Sequence, residues 1–362
     1  MEVSHLVLRG TNRDIGRQLA TMAGERHGVV PATGGDPLVT RARRWWYRSA
    51  WPAHYERMRG VADVHGAAVD DDSVELGLLA YLGAAPSCSV AWLPPSTVAS
   101  GHATLSRNYD FPTGTLTEIL GGEAQPGELP MTARPYVVET RPTDGPACLF
   151  LCAYELLGGC IDGVNSEGLV VALLADDEST GTDPTLAPAV GLNEIQLLRF
   201  LLETCATTGE AREALLSAKQ HWMFLACHFL VADAGGDSFV WERTANREHL
   251  VEGGGDIQVV TNHLLHDRAS LDDLPAGDGP SATYARARRL TAAVADRAGP
   301  LSGDEIKAAH ACVHREDRGA PARTLWHGLY DAADRSLEVS FYLGDGPGGG
   351  VRRSPYLRFG LD

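Results

Sequence analysis

Ser87-Cys88-Ser89-Val90-Ala91-Trp92-Leu93, and after a turn from Pro94 to Gly101 His102-Ala103-Thr104-Leu105-Ser106-Arg107-Asn108, mark where this chain changes character. From Cys88 onward apolar residues recur at every second position, so Cys88–Leu93 and His102–Asn108 predict two antiparallel strands. Arg107-Asn108-Tyr109-Asp110 closes the second strand. A thiol at the start of one strand therefore has an Arg-Asn-x-Asp on its hairpin partner, the pattern of a nucleophile with its activating groups nearby.

Upstream the period is mainly helical. A short strand, Val3–Leu8, precedes a helix capped by Thr11 or Asn12 and running through Leu19 and Met22. Residues 39–60 form an aromatic-rich helical stretch interrupted near Pro52, whose Trp45, Trp46 and Trp51 are expected to pack on a sheet. Asp70-Asp71-Asp72-Ser73 predicts the cap of a helix over Val74–Tyr81. Downstream, strands are expected at Tyr136–Glu139, Cys148–Tyr154 and Gly168–Ala175, then helices at Asn193–Cys205 and Gly209–Lys219. A hairpin over His228–Glu242 turns at Ala234-Gly235-Gly236-Asp237, and Gln258–Asn262 is the next strand. Helices near 281–296 and 303–311 precede a closing hairpin, Thr324–Tyr330 with Leu337–Leu343. Strand runs alternating with helix pairs argue for stacked antiparallel sheets with helices outside, not a βαβ repeat. Segments 112–130 and 178–191 read as surface loops, and no internal repeat is present.

The balance of 44% hydrophobic and 22% charged residues is globular, and a net charge of -16 argues against nucleic acid as partner. Local clusters at Arg41, Arg43, Arg44 and Arg48, and at Arg286, Arg288 and Arg289, read as solvated helix faces. No run approaches the roughly 20 apolar residues of a membrane span, and Met1–His5 lacks the features of a signal peptide. Seven cysteines without a CxxC pair or metal-like Cys/His spacing indicate a reduced, cytoplasmic protein without a metal.

A cysteine nucleophile works as thiolate and needs a base or a neighbouring cation. No Cys/His protease signature surrounds Cys88. The other available base is the α-amino group of the cysteine itself, with an ordinary pKa of roughly 7.7–8.0. That solution requires scission of the Ser87–Cys88 bond, at the point where the period changes. The plainer alternatives are a core thiol, a structural Arg107–Asp110 ion pair and a turn role for Asn262. Cys148, Cys152, Cys160, Cys205, Cys227 and Cys312 read as core, and His228, His263 and His314 need no special role.

The segment from Cys88 through Gly101-His102 to Asp110-Phe111 resembles the mature start of cysteine N-terminal-nucleophile hydrolases, most closely the isopenicillin N acyltransferase-like branch. Bile salt hydrolase and penicillin V acylase are more distant relatives. Gly10–Gly16, Gly163–Leu169, Phe229–Asp233 with Glu242, Val260–His263, Thr324–Gly328 and Val339–Gly344 are similar to the same family. The resemblance implies an α+β, four-layer αββα sandwich of two antiparallel sheets. It also implies self-cleavage between Ser87 and Cys88. Residues 1–87 would be a mainly helical propeptide or α-chain integrated into the fold, and 88–362 the catalytic β-chain, the two forming a heterodimer; a homo-oligomer is left open.

The same resemblance makes Cys88 the nucleophile, Arg107 a nearby positive charge, Asp110 the group orienting amine or thiol, and Asn262 an oxyanion donor. Asn108, Tyr109, Ala175, Asp176, His263 and Arg286 are candidate substrate-contacting or supporting positions. Two departures stand out: Ser87 replaces the acyltransferase's Gly, and Ala175 stands where distant relatives carry Asn or Tyr. A backbone N–H would then complete the oxyanion hole. Asp176 and Asp177 suggest a cationic group on the substrate. The implied activity is acyl transfer from a small-molecule amide or thioester to water or an amine, without cofactor. The alternatives are a narrow penicillin- or bile-salt-type acylase, or an unprocessed relative that binds an acylated ligand.

Overall fold

Two sheets lie face to face across a largely apolar layer, and the strand that begins at Ser87 lies inside the second of them. The computed structural model describes residues 1–80, 87–119, 121–179, 190–221, 226–243, 248–268, 270–296, 298–317 and 322–361. β1 (Ser4–Gly10) leads into α1 (Asn12–His27), closed at its start by a Thr11–Asp14 capping box. β2 (Ala32–Thr33) precedes α2 (Pro37–Ala50) and α3 (Pro52–His65), which meet at Trp51 because Pro52 suits a first turn but cannot extend a helix.

The helix expected over Val74–Tyr81 does not form among its described residues. β3 (Val74–Glu75) pairs with β2 instead. Asp71 Oδ1 accepts from Ser73 N at 2.9 Å and Ser73 Oγ at 2.6 Å, closing a turn rather than capping a helix. Leu76 and Leu79 are then drawn into the core, and Leu79 N–H donates to Glu155 at 2.9 Å. Tyr81 lies outside the described residues.

β4 (Ser87–Leu93) and β5 (Thr104–Pro112) form the predicted hairpin, followed by the short helix α4 (Leu116–Ile119). β6 (Tyr136–Pro142), β7 (Cys148–Cys152), β8 (Asp162–Asn165) and β9 (Val170–Ala175) form a meander. α5 (Glu194–Thr204) and α6 (Thr208–Ser217) precede β10 (Cys227–Ala232), β11 (Ser238–Arg243), β12 (Glu248–Glu252) and β13 (Gln258–Val260). α7 (Thr283–Ala295) and α8 (Gly303–Ala311) lead to β14 (Ala322–Asp331), β15 (Ser336–Asp345), β16 (Val351–Arg353) and β17 (Leu357–Gly360). β2, β8, β12, β16 and β17 escape the sequence reading.

The first sheet runs β1-β6-β7-β8-β9-β10-β11-β12 and the second β13-β4-β5-β14-β15-β16, with β17 on β15. One pairing departs from the all-antiparallel expectation: β1 lies parallel to β6, brought there by the N-terminal segment. Strand parity separates the layers. Cys148, Phe150 and Cys152 face a core shared with α1, α3, α5 and α6, whereas Leu149 and Leu151 face the inter-sheet core with Cys88, Val90 and Tyr109. Ala91 and Leu93 point the other way, toward Leu290 of α7 and Ile306 of α8. The result is an α+β sandwich with four layers, αββα.

Two further expectations are corrected. Trp45 is 62% exposed rather than packed on a sheet, while Trp46 and Trp51 join the core that α5 shares with the first sheet, their ring centroids 6.0 and 5.7 Å from Phe200. Cys312, at the end of α8, is exposed rather than core. No helix among the described residues is long and apolar enough to cross a membrane.

Candidate active site

Antiparallel pairing sets Ser87 opposite Asp110, Cys88 opposite Tyr109 and Val90 opposite Arg107. Cys88 is fully buried, its side chain in the inter-sheet core. Arg107 shares that face, and its Nη2 donates to Cys88 Sγ at 3.1 Å. The first sheet aims the guanidinium: it donates to Leu173 O at 2.6 Å and Ile161 O at 3.1 Å and pairs with the Asp162 carboxylate. Trp326 and Tyr330 hydrogen-bond the same carboxylate. Burial raises the Cys88 thiol pKa and outweighs the opposing pull of Arg107. In the uncut chain the sulfur is therefore a neutral thiol beside a fixed cation.

Arg107 and Asp110 are not an ion pair. Three residues apart on one strand, they face opposite sides of the sheet. Asp110 Oδ1 accepts from Thr324 Oγ1 at 2.6 Å, while Oδ2 has no hydrogen-bond partner and lies 3.8 Å from Arg286 and 4.0 Å from Arg315. Burial raises the Asp110 pKa against the charge of Arg286.

Asn262 sits two positions beyond β13, alongside Cys88. Its Oδ1 accepts from Cys88 N at 2.9 Å and Arg286 Nη2 at 2.6 Å. Its Nδ2, which the resemblance assigns to an oxyanion, donates to Ala175 O at 2.8 Å in the uncut chain. Arg286 Nη1 also donates to the Cys88 carbonyl. Cys88 is thus gripped at sulfur, amide nitrogen and carbonyl oxygen by Arg107, Asn262 and Arg286. Ala175 takes part through its backbone oxygen.

The remaining candidates stand further back. Tyr109 stacks on Trp326 with centroids 4.0 Å apart and shares a hydrogen bond with the Tyr154 hydroxyl. Asn108 faces away from the thiol and donates to His310 O at 3.3 Å. Asp176 Oδ1 accepts from Glu178 N and Ser179 N at 2.9 and 3.0 Å, closing a turn. Asp177 N–H donates to Asn262 O at 2.9 Å. His263 Nδ1 lies 3.1 Å from Thr261 Oγ1 and 3.2 Å from Thr283 Oγ1, and burial lowers its pKa to about 4.

Sequence reasoning missed Asp162, Thr283 and Thr324. The one available signal for Asp162 was an acid immediately before Gly163–Leu169, a stretch read as family-like. A separate surface group, His102, Asp331 and Asp334, has ligand atoms within 4.8 Å of one another, and the His102–Asp331 contact of 2.9 Å makes it an ion pair.

A profile of the acyl-coenzyme A:6-aminopenicillanic acid acyl-transferase family matches residues 98–345, well over half the chain, beginning ten residues after Cys88. Penicillin V acylase from Agrobacterium tumefaciens is similar in structure, with 17% identity, a TM-score of 0.48, and 71% of this chain and 83% of that one covered. Two variants of conjugated bile acid hydrolase from Clostridium perfringens also match at a TM-score of 0.48. One has 15% identity, with 74% of this chain and 92% of that one covered, and the other 13%, with 76% and 97%. Among curated proteins there is no match.

Proposed function

Because this chain belongs to the acyl-coenzyme A:6-aminopenicillanic acid acyl-transferase family, whose members are Ntn-type acyltransferases and amidohydrolases, we propose that Cys88 is its nucleophile after self-cleavage. The observation that carries this reading is the convergence of Arg107 on the sulfur and Asn262 on the nitrogen of one residue.

In maturation, Cys88 Sγ adds to the Ser87 carbonyl carbon and the C–N bond breaks. The thiol proton passes to the departing nitrogen, leaving a Ser87 thioester and a free α-amine. Water hydrolyses the thioester, giving a Ser87 carboxylate and restoring the thiol. In turnover the amine takes the thiol proton, and Arg107 stabilises the thiolate, which attacks an amide or thioester carbonyl. The acyl group moves to sulfur, the leaving group takes the proton, and water or an amine then accepts the acyl group. Asn262 holds the nitrogen that becomes the base. Its Nδ2, released from Ala175 O, joins a backbone N–H as oxyanion donor, each such donor being worth about 3–4 kcal/mol.

Complete burial of Cys88 in the uncut chain means that substrate reaches it only after a rearrangement, which cleavage of the Ser87–Cys88 bond would permit. The Arg57–Glu203 ion pair between α3 and α5 supports retention of residues 1–87 as one half of a heterodimer. Hydrolysis of a small-molecule amide is the favoured outcome, and a tailoring role in secondary metabolism follows by analogy. All seven cysteines are unpaired, which suits a reducing, cytoplasmic setting.

Intact-mass spectrometry of the purified chain tests the proposal. Fragments of 87 and 275 residues (362 − 87) are expected, and Cys88→Ala should leave one full-length species. A wild-type chain that turns over N-acyl substrates while remaining whole would refute self-processing. Comparing those substrates with a thioester plus an amine separates hydrolase from transferase.

A further inference from the structure

His228, on β10 of the first sheet, reaches across to the backbone of the second. Its Nε2 lies 2.7 Å from the carbonyl oxygen of Thr261, the residue before Asn262. Its Nδ1 lies 3.4 Å from Glu242 Oε1 on β11, and both side chains are fully buried. A carbonyl oxygen only accepts, so Nε2 carries a proton. A carboxylate also only accepts, so an Nδ1 lone pair aimed at it at a fully buried site would be repulsive, and that nitrogen is protonated too. Glu242 is fitted for the anionic role, accepting from Leu265 N at 2.6 Å, His266 N at 3.0 Å and His266 Nδ1 at 2.6 Å.

The consequence falls on Asn262. With Thr261 O tied to His228, Thr261 Oγ1 lies 2.8 Å from Thr283 Oγ1, and Asn262 N donates to Thr283 Oγ1 at 2.8 Å. The residue before His228, Cys227, pairs with Ala175, whose carbonyl receives Asn262 Nδ2. One strand therefore governs both the backbone and the side chain of the residue holding the Cys88 nitrogen. We infer that His228 is a positioning residue, an imidazolium locked between Glu242 and Thr261 O that holds Asn262 against Cys88. This rests on the reading of Cys88 and Asn262 as reacting partners.

The groups around His228 leave Glu242 as its counter-charge. Asp176, after β9, binds two backbone N–H groups. His263 is held neutral by burial, and His266 donates to the other Glu242 oxygen. Burial works against the His228 charge, but Glu242 prevails and its pKa lies above the ordinary histidine value. The sign follows: the brace is complete below the ordinary histidine value and is lost as pH rises through that raised value. Loss of activity on the alkaline side is distinct from the acid limb set by an α-amine base, which must be neutral to act.

The Cys88→Ala chain, which does not depend on catalysis, allows a direct test by NMR of the imidazole nitrogens. Both His228 nitrogens should be protonated at neutral pH, and the Asn262 side-chain amide signals should shift as His228 titrates. A singly protonated His228 at pH 7, or Asn262 signals indifferent to its titration, would overturn the inference. In the otherwise wild-type chain, His228→Gln keeps a donor but cannot titrate. It should remove the alkaline limb and lower kcat by on the order of a hundredfold or less, with KM little changed. An unchanged pH profile would count against the role. Full activity in Asn262→Ala would sink the reading of the site itself and the positioning role with it, while leaving the NMR titration as it was.

Discussion

Two buried arginine–carboxylate networks, one on each side of the first sheet, differ in what they leave open. Where the N-terminal helices meet α5, Arg57 donates to Glu203 at 2.8 and 2.9 Å, Trp51 Nε1 donates at 2.7 Å, and Arg199 pairs with the same carboxylate. Both Glu203 oxygens are occupied by N–H donors. Around Cys88, by contrast, Arg107 directs one N–H at sulfur, Arg286 another at the Cys88 carbonyl, and Asp110 Oδ2 lacks a hydrogen bond. Cys148 makes the same point, since Arg199 lies near it without bonding its sulfur, and burial pushes its thiol up to about 12. A carboxylate whose two oxygens are both filled by N–H donors holds elements together, even though Arg57 Nε and Arg199 Nη1 find no acceptor, whereas donors aimed at a thiol and its own backbone are equipped for chemistry.

This contrast can be broken most decisively at Cys88. Cys88→Ala should abolish both scission and turnover, read by intact mass and substrate assay. Asn262→Ala comes next, with kcat expected to fall by about 10²–10³-fold as one oxyanion donor is lost. Glu203→Ala should act on stability, removing about 3–5 kcal/mol by stranding two buried guanidinium groups, as measured by denaturant unfolding. If Glu203→Ala instead blocked scission in a chain of undiminished stability, the division between the two networks would fail.

A pH series sharpens the comparison. Burial opposes the Glu203 charge, yet Arg199 and Arg57 hold its carboxyl at about 2, well below the ordinary glutamate range. Its contribution is present above that ordinary value and is lost as pH falls toward 2, an acid-side loss on the order of 3 kcal/mol. Glu203→Gln should lack this component. Trp45→Ala, at an exposed position, should change stability by less than about 0.5 kcal/mol.

Legibility in the sequence tracked how local each determinant is. The β4–β5 hairpin and the Thr11 cap were readable because alternation and capping are patterns of near neighbours. The presumed helix over Val74–Tyr81 was misread because Glu155, far along the chain, captures the Leu79 amide. The Arg107–Asp110 pairing failed on parity, which puts residues three apart on opposite faces of a strand. His228 looked ordinary because both of its partners, Glu242 and the Thr261 carbonyl, become neighbours only when the sheets stack.

The residues alone determined the alternating strands of the β4–β5 hairpin and the cap of the first helix, because each depends on side chains a few positions apart. Only the tertiary structure decided that Asp162 aims Arg107, that Arg286 holds the Cys88 carbonyl and that Asn262 meets the Cys88 amide. Those contacts join strands distant in sequence. Closing the layers removes the water that would otherwise satisfy these groups, and so requires them to find one another.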